Sequence, residues 1–146
     1  MSKSNTFEND FLLLVFNNTD IADIGDAGGL QNSATAGSLY VSLHTGDPGE
    51  GGTAATSESA YGSYARQAVV RSGSGWTVSS NTASNAALIQ FPECTSGSET
   101  ITYVSITTAS TGTSKILWSG ALTASRSVSS GIQPQFAIGA LTVTED

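Results

Sequence analysis

From Leu39 onward the chain is a succession of short runs, LYVSLH, ARQAVVR, GWTVSS, NAALIQF, ITYVSITT, KILWSG, PQFAI and ALTVTE, each closed off by Gly, Ser, Asn, Asp or Pro. Short, evenly spaced runs with turn chemistry between them build antiparallel sandwiches or barrels. Leu39, Val41 and Leu43 alternate with Tyr40, Ser42 and His44, and Val104 and Ile106 oppose Thr102 and Ser105, the period of a half-buried strand. Eight runs fill two four-stranded sheets, so the expected fold is all-β, an antiparallel β-sandwich of jelly-roll type. Trp76, Leu88, Phe91, Trp118, Phe136, Ile138, Leu141 and Val143 are further core candidates, and Gly73-Ser74-Gly75 sits at hairpin distance between two runs.

The 146 residues suit one domain, divided into a helix and extended arm over residues 1–37 and a β body over 38–146. Asn5 as cap with Glu8 three positions later predicts a helix from Thr6 to Phe16. Phe7, Phe11, Leu14 and Val15 share a stripe, and Leu12, Leu13 and Phe16 carry apolar surface around most of the circumference. A short helix of this kind does not form alone in water and must dock, either over the open end of the sandwich or on a neighbouring subunit. Behind it, Asn17 to Gly37 reads as a long polar loop with Asp20, Asp23 and Asp26 spaced by three, a contact segment rather than a linker. A second loop, Thr45 to Gly62, opens with TGDPGEGG, where Pro48-Gly49 fits the centre of a type II turn.

The formal charge of −7 is uneven, with an acidic leader and tail flanking a slightly basic β region. Nucleic-acid binding needs a cationic stripe, which scattered Arg66, Arg71, Lys115 and Arg126 do not form, so neither nucleic acid nor an anionic membrane is an expected partner. Acidic segments instead orient docking on a cationic protein surface. The N-terminus lacks the charged start and apolar core of a signal peptide, and FLLLVF is too short to span a bilayer, so cytoplasmic synthesis is expected.

Residues that could carry chemistry are sparse. His44 is the only histidine; with Asp47 nearby it leaves a Ser-His-acid triad conceivable on paper, but a surface or interface histidine is the expectation. Cys94, the only cysteine, excludes an intrachain disulfide and a Cys-based zinc site and reads as an inert thiol. Asp20, Asp23 and Asp26 lack the alternate-residue spacing of a calcium loop and read as a solvated acidic arm. The Gly-rich GEGG and SGSG lack the Lys and following helix of a phosphate cradle. Tyr61 and Tyr64, if exposed, would suit stacking on a sugar, although packing is the commoner use of such tyrosines. No catalytic residue, metal or cofactor is therefore expected.

The ordered series AGSLYVSLHTGDPGEGG, GSYARQAVV, GWTVSSNTASNAALIQFP, ITYVSIT, LWSGALT and GALTVTED, preceded by FENDFLLLVFNNT, resembles a family of small structural proteins of tailed bacteriophages over nearly the whole chain. The resemblance implies a virion protein without enzymatic activity. It implies first a capsid decoration or cement protein on the shell exterior, binding the major capsid protein and itself as a homodimer or homotrimer after assembly in the host cytoplasm. The alternative it implies is a tail or tail-fibre component, either an adaptor or a receptor- or glycan-binding module. The expected partner contacts are Phe7, Phe11, Leu12 and Phe16 in the helix, Asp20, Asp23 and Asp26 in the arm, and Asp47, Pro48, Gly49 and Glu50 in the turn.

Overall fold

A computed structural model describes residues 2–146. One helix, α1 (Asn5–Asn17), precedes nine strands: β1 (Ser38–His44), β2 (Gln67–Val70), β3 (Trp76–Ser79), β4 (Thr82–Asn85), β5 (Ile89–Gln90), β6 (Ser98–Thr107), β7 (Ile116–Ser129), β8 (Gln135–Phe136) and β9 (Thr142–Thr144). The fold is thus mostly β with one short N-terminal helix, and the β1–β6, β3–β4, β4–β9 and β6–β7 ladders are antiparallel. The strands group differently from two sheets of four: the orders are β2-β1-β6-β7, β3-β4-β9 and β5-β8. β2 and β3 lie in different sheets, so Gly73-Ser74-Gly75 is a crossing between sheets and not a hairpin turn.

The chain forms two compact units, each assembled from separated segments. The first contains Met1–Ser38, Val69–Leu88 and Phe136–Asp146. Its core is built where α1 meets β3 and β4: Leu12 and Phe16 are fully buried, and the Phe16 ring stands edge-on to Trp76 at 4.7 Å. Helix entry is set one residue earlier than the sequence predicts. Ser4 is the cap, its Oγ accepting from the Phe7 amide, and Asn18 closes the other end in a left-handed conformation (φ 56°). The β3–β4 turn is Ser80-Asn81, between the paired Ser79 and Thr82, with Ser80 at φ 53°.

The second unit contains Leu39–Ala68 and Ile89–Gln135. β1 lies between β2 and β6, and its polar face is covered too, by the chain around Thr56, Glu58 and Tyr64: Ser42 and His44 are as enclosed as Val41 and Leu43, where alternation alone predicts exposure. β6 pairs with β1 from Tyr40↔Thr107 to His44↔Tyr103 and carries Ile101, Val104 and Ile106 inward. β7 ends the sheet, and its register on β6 slips so that residues 122–125 lie opposite Thr102, a bend of the bulge type.

Candidate functional site

The helical contact candidates separate by face. Leu12 and Phe16 are buried within their own unit, Phe11 is half-buried, and Phe7 alone is exposed, at 36%. A half-buried guanidinium-carbonyl clamp fixes the helix end. Arg71 Nε donates to Val15 O at 2.6 Å, Nη2 to Leu14 O at 2.6 Å and Nη1 to Ala36 O at 3.1 Å. The last helical turn contains no basic residue of its own, so Arg71 supplies from elsewhere in the sequence the positive charge that end favours.

The acidic segment is not an extended arm but a closed loop. Ile21 and Leu30 pair by two backbone hydrogen bonds of 3.0 and 2.8 Å, and Asn18 and Ser33 pair through Asn18 Nδ2 to Ser33 O and the Ser33 amide to Asn18 Oδ1. Asp20 Oδ1 accepts from the Asn32 amide at 2.6 Å, and Asp26 Oδ1 accepts from the amides of Gly28 (2.8 Å) and Gly29 (3.2 Å). Gly29 is required there: it sits at φ 61°, and an added Cβ would lie 1.8 Å from Ile21 O. Asp20, Asp23 and Asp26 are all exposed on this loop. Among the described residues no group of three or more His, Cys, Asp and Glu is placed to hold a metal ion.

The hydrogen-bonded turn of this loop lies at Gly49–Gly52, where the Gly52 amide donates to Gly49 O at 3.2 Å, two residues later than a turn centred on Pro48-Gly49. At Asp47–Gly49 the Gly49 amide donates instead to Asp47 Oδ1 at 2.8 Å, an Asx-type turn, and Gly49 takes φ 68°, a left-handed value glycine adopts without strain. Asp47, Gly49 and Glu50 are exposed, whereas Pro48 is buried and offers no surface to a partner.

The second unit encloses a polar network around His44, which is fully buried and not a surface residue. Its Nδ1 lies 2.9 Å from Thr56 O, which only accepts, so Nδ1 carries the proton and Nε2 accepts from Ser105 Oγ at 2.7 Å. Burial lowers the imidazole pKa, outweighing the Thr56 carbonyl and the Glu58 charge that oppose it. The His-Ser spacing is that of a nucleophile and base, but Ser105 is as buried as His44, and the ring's other nitrogen faces a carbonyl where a triad has a carboxylate.

Glu58 and Arg66 form a two-point pair, Nε to Oε1 at 2.6 Å and Nη2 to Oε2 at 2.7 Å. Burial pushes the Glu58 carboxyl up, yet the hydrogen bonds and charge of Arg66, with help from Ser42 and Tyr64, carry it below its ordinary value. Arg66 also donates to Ala109 O, Gly112 O and Ser114 Oγ, tying down the β6–β7 turn.

Neither candidate sugar-stacking ring is available. Tyr61 is buried and donates to Pro92 O at 2.9 Å, its phenol pushed up to about 12 by burial. Tyr64 is half-buried and committed to packing: it stands edge-on to Tyr61, stacks on Phe91 and accepts from the Leu43 amide at 2.9 Å. Cys94 is buried, with Sγ donating to Ser96 O at 3.2 Å.

The strand signals did not reveal three exposed features. Leu88 (49% exposed) and Ile138 (71%) leave the core positions expected of them. Both stand on loops organised by buried Asn85, whose Nδ2 donates to Ala87 O and Ala137 O and whose Oδ1 accepts from the Leu141 amide. The third is β7, exposed at nearly every residue from Ser119 to Ser127. A polar-to-apolar alternation would have announced a covered strand face; its absence from SGALTASRS is the one available clue.

A family model described as podophage GP4 fiber I protein gp80 matches residues 2–144. The chain belongs to that family. Membership covers the helix, the acidic loop and both β units, and makes the chain a phage virion structural protein of a fibre family. No curated protein matches it.

Proposed function

We propose that the chain is a tail-fibre component of the virion and that it works by adhesion between proteins, with no reaction and no cofactor. The observation that carries this reading is the match of residues 2–144 to a podophage fibre protein. A β body, an acidic surface and a docked helix suit capsid cement equally well and do not discriminate, so the reading leans on the family description, which favours the fibre over the shell.

The geometry supports adhesion in two ways. The only histidine and its serine partner are sealed from solvent, leaving no approach for a substrate. Of the tyrosines that would stack on a sugar, Tyr61 is buried and Tyr64 is stacked on Phe91, which favours a connecting role over glycan recognition. Quantitative mass spectrometry of purified particles tests the placement. A copy number comparable to the tail proteins is expected, and one approaching that of the major capsid protein would instead make the chain a shell component.

A further inference from the structure

Apart from the register slip at residues 122–125, strand β7 carries little of the protection that edge strands ordinarily have. It runs for 14 residues at the end of its sheet, so one whole row of backbone N–H and C=O groups faces outward. From Ser119 to Ser127 only Leu122 is even half-buried, so both faces of the strand are bare as well as its edge. There is no proline in it, and Arg126 is its single charge.

The charges of the chain point to what covers this strand. Of five basic residues, Lys3 pairs with Glu145 (3.0 Å), Arg66 with Glu58, and Arg71 with helix carbonyls. The side chains of Lys115 and Arg126 make no ion pair or hydrogen bond among the described residues, and both belong to β7 or its threshold. No acidic residue occurs between Glu99 and Glu145. The hydroxyls of Ser119, Thr123, Ser125 and Ser127, the outward N–H row and the Arg126 guanidinium are all donors suited to carboxylates.

The closed 20–30 loop is the matching surface. Asp20 and Asp26 each commit Oδ1 to the loop's own backbone, which fixes the carboxylates before any partner arrives and lowers the ordering cost of docking. We infer that the acidic loop of one copy, Asp20 to Asp26, docks on the bare β7 edge of a second copy, with Arg126 as its anchor. The two surfaces differ, so the contact is head-to-tail and closes into a ring or extends into a row. This holds wherever in the particle the chain resides.

The test uses the full chain in native mass spectrometry and sedimentation over a concentration series. Wild type should associate, and raising salt from about 0.05 to about 0.5 M should weaken association markedly. Arg126→Glu should raise the dissociation constant about tenfold or more, and Asp23→Asn, which tolerates the φ of 61° at that position, should weaken it several-fold. Adding Ala27→Lys to Arg126→Glu should restore binding, because Ala27 is exposed on the same loop. All three sites are exposed, so unchanged thermal unfolding serves as the folding control. A monomeric wild type, an association indifferent to Arg126→Glu, or one lost with Arg126→Glu but indifferent to both loop substitutions would overturn the inference. The last result would assign β7 to another occupant, such as a second β7.

Discussion

Replacing Arg71 with Met should unlock the helix from its unit while leaving the rest of the chain folded. The substitution keeps the apolar stem and deletes three donors, two of them 2.6 Å from the carbonyls of Val15 and Leu14. Hydrogen bonds from a charged donor contribute about 1.5–3 kcal/mol each when the acceptor has no substitute. Arg71 is only half-buried, so water can reach the released carbonyls, and about 1 kcal/mol per bond is the appropriate figure. With about 0.5 kcal/mol for the lost charge at the helix end, the loss is about 3–4 kcal/mol. For a chain of this size that corresponds to a fall in melting temperature of roughly 10 °C. Hydrogen exchange read by mass spectrometry gives the sharper assay: amides of α1 should exchange roughly 150- to 900-fold faster while those of β6 hold their protection. Arg71→Lys, which keeps charge but loses the planar fork, should fall between. Unchanged α1 exchange in Arg71→Met would refute the clamp.

Phe16→Ala, which empties a fully buried site against Trp76, should cost about 3–5 kcal/mol in urea unfolding, whereas Phe7→Ala should stay within about 0.5–1 kcal/mol; equal effects would mean the helix is turned the other way. Asn85→Ala strands the Leu141 amide and the Ala87 and Ala137 carbonyls and should destabilise by about 2–4 kcal/mol, measured by thermal unfolding, with a near-neutral result contradicting its role as hub of the two loops. Because burial lowers the His44 pKa beneath 6.5, the unfolded chain binds more protons there, and stability should decline as pH falls below about 6.5 and be flat above it. Glu58, also lowered, adds a second decline below about pH 4.5, and His44→Gln should flatten the first segment only. Urea midpoints that stayed constant or rose from about pH 7 to about pH 5.5 would contradict the buried neutral imidazole.

The parts of the fold legible in the sequence are those where one strand face meets a core and the other meets water. β1, β3, β6 and β9 were readable because Leu39, Val41, Trp76, Val104, Ile106 and Val143 fall at strand period. β4 was not, since its inward positions are Ala83 and Asn85, and an asparagine in a Gly- and Ser-rich stretch looks like a turn; only the pairing of Trp76 with Asn85 makes it a strand. The length of β7 was hidden for the converse reason: with both faces exposed, its residues show no alternation to count. The burial of His44 is not in the local pattern because it depends on the 56–58 segment folding back over the polar face of β1, a tertiary fact that alternation does not carry. The same limit applies to the contact candidates. Helical spacing showed that α1 is apolar nearly all round, but which residues face inward followed from the position of Trp76.

Cryo-electron microscopy of the intact particle, with this chain traced into the density, tests the central claim most directly. The account predicts that the density for the helix, the acidic loop and the bare strand lies in the fibre apparatus, contacting protein on every covered face. Density spread over the shell at capsomer junctions, or a particle lacking the chain altogether, would contradict it.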